Sequence, residues 1–254
     1  MRAAWVVLCS LLTWTTLVVC FVVWLPIMAV LHAVERPFDS GLYRTGRFFR
    51  LMGIVIARAN PLWHFRAEGY VPPDPRHPFV VVSNHESFAD ILLTCFLPWE
   101  MKWLGKAELF RIPIMGQVMW LAGDIPVRRG ERTSAREAMA ACRDRLRKRV
   151  SVMIYPEGTR TRTGEMLPFK DGAFRLAIDA QVPVLPLVCV GTREAIRADS
   201  WKVGPARGVV HVLEPVPTIG LTSRDTARLR EQVRSLILAK RDELRRGMPP
   251  SPAA

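Results

Sequence analysis

The chain has 254 residues, half of them hydrophobic, which is ample for one sizeable core. Its five cysteines (Cys9, Cys20, Cys95, Cys142, Cys189) are odd in number and show no C-x-x-C spacing, which argues against a disulfide framework or a zinc site and for buried thiols in a reducing compartment. Lys and Arg number 36 against 23 Asp and Glu, and the resulting charge of +13 favours an anionic partner: nucleic acid, an anionic lipid surface or a phosphorylated substrate.

From Ala3 to Leu31 no residue is charged. As one helix this run would extend about 44 Å, more than the roughly 30 Å hydrocarbon core of a bilayer. Trp5 to Leu25 is a sufficient span, Pro26 is an expected end or kink, and Trp5 and Trp24 sit where interfacial aromatics belong. A cleaved signal peptide fits less well, because the apolar run is too long and lacks a small-x-small cleavage site. A re-entrant hairpin at Pro26 stays open. Arg2 precedes the segment and Arg36, Arg44, Arg47 and Arg50 follow it, which places the C-terminal side in the cytoplasm. Residues 1–32 are therefore read as a transmembrane or re-entrant segment.

Residues 33–61 are read as an amphipathic helix and linker, with Leu42, Phe48, Phe49, Leu51, Ile54 and Ile56 interleaved with arginines and ended by Asn60-Pro61. That helix lies in the membrane interface or packs on the globular domain, and both readings stand.

A domain over 62–247 alternates β-rich runs (64–69, 78–83, 101–104, 151–155, 184–190, 208–213) with helical stretches near 87–97, 107–121, 133–149 and 170–181. Alternation of this kind predicts an α/β fold with a mostly parallel central sheet flanked by helices. Thr133 or Ser134 with Glu137 is a capping signal. A last helix near 223–246 carries Leu229, Val233, Leu236, Ile237 and Leu244 on one face, its arginines being expected in solvent or toward lipid. The proline-rich tail, 248–254, is expected to be flexible.

Chemistry-bearing residues collect where apolar runs end. His85 and Asp90 follow Pro78–Val82, and a carboxylate on one ring nitrogen leaves the other as a base for a substrate hydroxyl. No third ligand lies at metal spacing beside them. Asn84 and Ser87 are candidate caps for the helix that follows. Tyr155-Pro-Glu-Gly-Thr-Arg160 follows a second apolar run; its Pro and Gly force a turn, backbone N–H groups near Gly158 are placed to face an anion, and Glu157 and Arg160 add fixed charges. Lys106 and Arg129 follow shorter β-like runs, and cations at strand ends suit a phosphate.

Taken together these segments resemble the glycerolipid acyltransferase family that includes the 1-acylglycerol-3-phosphate acyltransferases. Asn84-His-Glu-Ser-Phe-Ala-Asp90 is similar to its H-x4-D block, Gly123-Asp-Ile-Pro-Val-Arg-Arg129 to its second, Pro156-Glu-Gly-Thr-Arg160 to its third and Val182-Pro-Val-Leu-Pro-Leu187 to its fourth, in the family's order over roughly 62–215. The resemblance implies acyl transfer from acyl-CoA or acyl-carrier protein to a lysophospholipid hydroxyl, with no cofactor, at a membrane. It implies His85 as general base oriented by Asp90, with Glu157, Gly158, Thr159 and Arg160 on the acceptor and Lys106 and Arg129 at its phosphate. It also implies an N-terminal membrane-embedded helix. Pro126 and Arg128 stand where the second block usually has an aromatic and an acid, and Thr161 replaces the third block's usual serine; these touch acceptor choice more than reaction class. The leading acceptor is 1-acylglycerol-3-phosphate, giving phosphatidic acid, with another lyso-lipid as the alternative. A basic nucleic-acid binder would explain the charge but not His85, Asp90 and Glu157 at strand ends, and Arg143–Arg149 has no aromatic stacking platform.

Overall fold

The computed structural model describes residues 2–161, 163–197 and 200–248. Its centre is one sheet of β1 (Trp63–Gly69), β2 (Val80–Ser83), β3 (Met101–Lys106), β4 (Ile125–Val127), β5 (Ser151–Ile154), β6 (Val184–Val190) and β7 (Ala206–Val212), in the order β1-β7-β6-β2-β5-β3-β4. Strands β2 to β6 run parallel; β7 is antiparallel to β6 and β1 parallel to β7. The C-terminal ends of β2 to β6 therefore share one edge of the sheet. That edge is where ligands bind in open α/β folds.

Every residue of β2, β5 and β6 is buried, as expected of strands covered on both faces. Val80, Val82, Val152, Ile154 and Val188 face a core built with α5 (Arg132–Arg147), α6 (Gly172–Ala180) and α7 (Thr226–Gly247). Their neighbours along the strands, Val81, Met153, Leu185 and Leu187, face Leu93 of α3 (Ala89–Thr94) and Trp99. Over that side lies a second layer of α1 (Arg2–Glu35), α2 (Tyr43–Ala59) and α4 (Met115–Ala122).

Helix α1 runs through Pro26 without a break. Packing on both sides of the proline holds it, with Trp24 stacked on Phe48 at 5.3 Å and Met28 fully buried. Its inner face packs on the domain through Cys9, Cys20 and Met28, while Leu8, Leu11, Val18, Val22 and Val30 form an exposed apolar stripe. The Glu35 carboxylate at its end accepts from the Arg44 and Thr45 backbone N–H groups and the Thr45 hydroxyl, satisfying orphan donors at the start of α2.

The amphipathic helix α2 buries Phe49, Met52 and Ile56 between α1 and the domain and exposes Leu51 and Val55. Arg50, counted by charge alone among the residues flanking the membrane segment, is buried. It bonds Asp124 through both Nη atoms, donates to Met101 O at 2.9 Å, and lies 3.8 Å over the Trp103 ring. Glu100 lies 3.5 Å from Arg50 and 3.0 Å from Lys102, whose Nζ also donates to Leu42 O. Gly46 is required here, since a Cβ would sit 2.1 Å from a Glu100 oxygen. Arg47 is also turned inward, donating to Leu97 O at 2.7 Å.

The stretch expected as a helix over 107–121 is divided into a 3₁₀ turn, Ala107–Arg111, and α4. Pro113 and the positive φ of Ile114 separate the two, and Gly116 approaches Phe110 O so closely that a Cβ would meet it at 2.1 Å. The anticipated cap on α5 is absent: Ser134 lies inside the helix and its hydroxyl accepts from Arg128 N instead. The arginines of α7 do not all face outward, since Arg241 is 3% exposed. Of the tail, residues 249–254 lie outside the described residues.

Candidate active site

Beyond the end of β2 the chain is fixed before it reaches His85. The Asn84 side chain exchanges two hydrogen bonds with the Cys189 backbone on β6, Nδ2 donating at 2.8 Å and Oδ1 accepting at 2.9 Å, so it clamps two strands and does not cap α3. Ser87 fills part of the capping role, its hydroxyl accepting from Ala89 N. His85 N donates to Glu157 Oε1 at 2.8 Å, and His85 O accepts from Thr161 N at 3.0 Å. The imidazole lies against the Tyr155 ring with centroids 3.9 Å apart and planes within 18°.

His85 Nδ1 lies 2.8 Å from Asp90 Oδ2. That oxygen also accepts from the Glu86 and Ser87 backbone N–H groups at 2.8 and 2.9 Å, and Oδ1 accepts from the Thr192 hydroxyl. A carboxylate ringed by donors acts as acceptor, so Nδ1 carries the proton and Nε2 presents its lone pair. Among the described residues Nε2 has no hydrogen-bond partner. The arrangement is a base held in one tautomer, which can take a proton from a hydroxyl brought to Nε2.

Glu157 lies between the two loops of the site. One carboxylate oxygen accepts from His85 N and the other from Leu167 N at 2.8 Å, so it ties the two loops together from within. Burial raises its pKa. Gly158 adopts φ +74°, and its N–H closes the turn on Tyr155 O and is not free for an anion. Thr159 and Arg160 are exposed, and Arg160 has no ion-pair partner among the described residues.

Lys106 and Arg129 end on the same sheet edge but do not touch His85. By register Lys106 is level with the start of the Tyr155–Arg160 turn, two strands from β2, or about 10 Å. Lys106 pairs with Glu108 at 3.2 Å, both half-exposed. Arg129 lies past β4, one strand further out, and is exposed.

Beside this edge opens an apolar cavity of about 690 Å³, between Phe88 and Ile91 on the His85 side and Trp14, Leu17 and Phe21 of α1, with Arg160 in its lining. Its size falls in the range of small-molecule sites, roughly 300–1,000 Å³. Thr192 was not singled out in the sequence because it reaches Asp90 from just past the C-terminal end of β6, and the only local signal was its place five residues after the fourth block.

Residues 64–190 match the family model Acyltransferase. The human protein 1-acyl-sn-glycerol-3-phosphate acyltransferase alpha is 34% identical over 219 residues, 85% of this chain and 76% of its own length. The chain belongs to the acyltransferase family. A Haemophilus influenzae protein named 1-acyl-sn-glycerol-3-phosphate acyltransferase is 31% identical over 203 residues, 76% of this acyltransferase and 83% of that chain. The crystal structure of the 1-acyl-sn-glycerophosphate (LPA) acyltransferase PlsC from Thermotoga maritima superposes with a TM-score of 0.79 at 25% identity, covering 96% of this chain and 98% of the other. The matched segment of the acyltransferase runs from β1 to the end of β6, so α1, α2 and α7 lie outside it.

Proposed function

We propose that this acyltransferase moves a fatty acyl group from acyl-CoA or acyl-carrier protein to the free hydroxyl of 1-acylglycerol-3-phosphate, giving phosphatidic acid. The observation that carries this reading is the Nε2 of His85, which has no hydrogen-bond partner among the described residues and is fixed by Asp90 beside an apolar cavity. The hydroxyl gives its proton to Nε2 as its oxygen attacks the thioester carbonyl, and the resulting imidazolium is stabilised by Asp90. The tetrahedral oxyanion then collapses, the carbon–sulfur bond breaks, and the leaving thiolate takes the proton from His85. Base catalysis of this kind contributes about 10²- to 10⁴-fold. The cavity holds an acyl chain, and Arg160, Lys106 and Arg129 draw the phosphate toward the sheet edge.

Helix α1 is long and apolar enough to cross a membrane by length and composition, with a mean hydropathy of 2.6. Its inner face packs on the domain through Cys9, Cys20 and Met28, and this supports a helix embedded from one side with its exposed stripe in lipid; the arginines that follow the segment favour a catalytic domain facing the cytoplasm.

The test is purified protein in detergent, offered acyl-CoA and acyl-carrier protein donors with a panel of lyso-lipids, beside His85→Ala. Turnover of 1-acylglycerol-3-phosphate falling at least a hundredfold in the variant is expected. Turnover retained in His85→Ala removes the general base, and activity confined to lyso-lipids without a phosphate removes the proposed acceptor.

A further inference from the structure

The residue after the catalytic histidine is itself buried and charged. Glu86 is 8% exposed, and its carboxylate is reached from the far end of the chain: Arg245, in the last turns of α7, donates from Nη2 to Glu86 Oε1 at 2.5 Å. The same Nη2 donates to Gly164 O at 3.1 Å, and Arg241, one helical turn earlier, reaches that carbonyl at 3.5 Å. Gly164 belongs to the loop that begins with the Glu157–Arg160 turn. That loop is already tied to His85 through Thr161 N and Glu157 Oε1. One guanidinium therefore bridges the two loops that form the site, from a helix outside the segment matched by the family model.

We infer that Arg245 is a positioning residue for acyl transfer: through Glu86 and Gly164 O, helix α7 clamps the His85 loop to the Glu157–Arg160 loop and holds the imidazole where it meets the acceptor hydroxyl. This rests on the acyl-transfer reading above. The clamp is electrostatic and belongs to the site, since both of its acceptors lie on loops that carry site residues. The groups facing Glu86 are Arg245 and Arg241 from α7, Asp90 from α3, Asn84 of its own loop and the Cys189 thiol of β6. Burial raises its pKa to about 7 in spite of the two arginines, with Asp90 adding to the rise. Loss of Arg245 removes the nearest group that favours the ionised carboxylate.

The experiment compares Arg245→Met, which keeps the aliphatic stem, with Arg245→Lys, which keeps a cation, each alone and with Glu86→Gln, in the full chain in detergent. Acyl-CoA and 1-acylglycerol-3-phosphate are the substrates, and His85→Ala is the reference. The expected result is a fall of about tenfold or more in kcat for Arg245→Met with KM within threefold. Arg245→Lys should regain most of the loss. In the Glu86→Gln background, Arg245→Met should cost less than threefold, because the negative charge that Arg245 meets is already gone. A kcat within twofold of the unaltered protein overturns the clamp. So does an equal loss with and without Glu86. Either outcome with His85→Ala inactive removes the clamp alone, whereas activity in His85→Ala removes the general-base reading of His85 on which it stands.

Discussion

Asp90 does more than orient one imidazole. It receives His85 Nδ1 and two backbone N–H groups on Oδ2 and the Thr192 hydroxyl on Oδ1, so the loop folds around the carboxylate and the ring inherits the loop's rigidity. Removing the Thr192 hydroxyl leaves Oδ1 buried with a lone pair unmet. A hydrogen bond to a charged group is worth about 1.5–3 kcal/mol, so Thr192→Val is expected to lower kcat about tenfold or more while Thr192→Ser stays near the starting value. Steady-state kinetics in detergent distinguish the two, and equal activities would show that Thr192 plays no part. His85 and Asp90 were legible because they sit five residues apart after an apolar run. Thr192 and Arg245 were not, because β6 and α7 bring them in from more than 100 residues away, and only the sheet order reveals that they meet. Glu157 stood out in the sequence by its motif, but its two loop contacts needed the fold.

Among the elements, the buried strands announce themselves as continuous apolar runs, and β2, β5 and β6 fall where the runs do. Strand β4 spans only three residues, too few to show a period, and the direction of β7 against β6 has no signature in either strand. Helix α2 shows how a charge count misleads: Arg50 reads as a membrane-flanking cation yet serves inside, joining α2 to β3 and to Asp124. Burying several charges costs desolvation, which their mutual contacts offset only while all partners remain. Burial pushes the Glu100 carboxyl up and the Lys102 ammonium down, each opposed by the other. Asp124→Ala strands Arg50 and is expected to destabilise the fold by about 3–5 kcal/mol. Adding Arg50→Met should recover much of that loss. Denaturant unfolding in detergent measures both, and an Asp124→Ala protein as stable as its parent would show that the network holds nothing together. Because Arg50 also borders the apolar cavity, the same network that secures α2 shapes a wall of the proposed acyl site.

For the molecule as a whole, composition pointed to an anionic partner and the N-terminus to a membrane, but neither indicated how the apolar helix sits against the domain. Helix α1 is not a stalk beside a separate domain. Trp14, Leu17 and Phe21 line the cavity from its inner side while Leu8, Leu11, Val18 and Val22 stand exposed on its outer side. One helix thus separates the proposed acyl site from the proposed hydrocarbon, and its removal would open the cavity along that wall. For such an enzyme the concentration that governs turnover is two-dimensional. Diluting 1-acylglycerol-3-phosphate with inert lipid at constant bulk concentration is expected to slow the reaction in proportion to its mole fraction. Diluting the vesicles in buffer at constant mole fraction, once the protein is bound, should leave the rate per enzyme nearly unchanged. A rate that followed bulk concentration instead would mean that substrate arrives from water, and that the apolar stripe of α1 serves attachment alone.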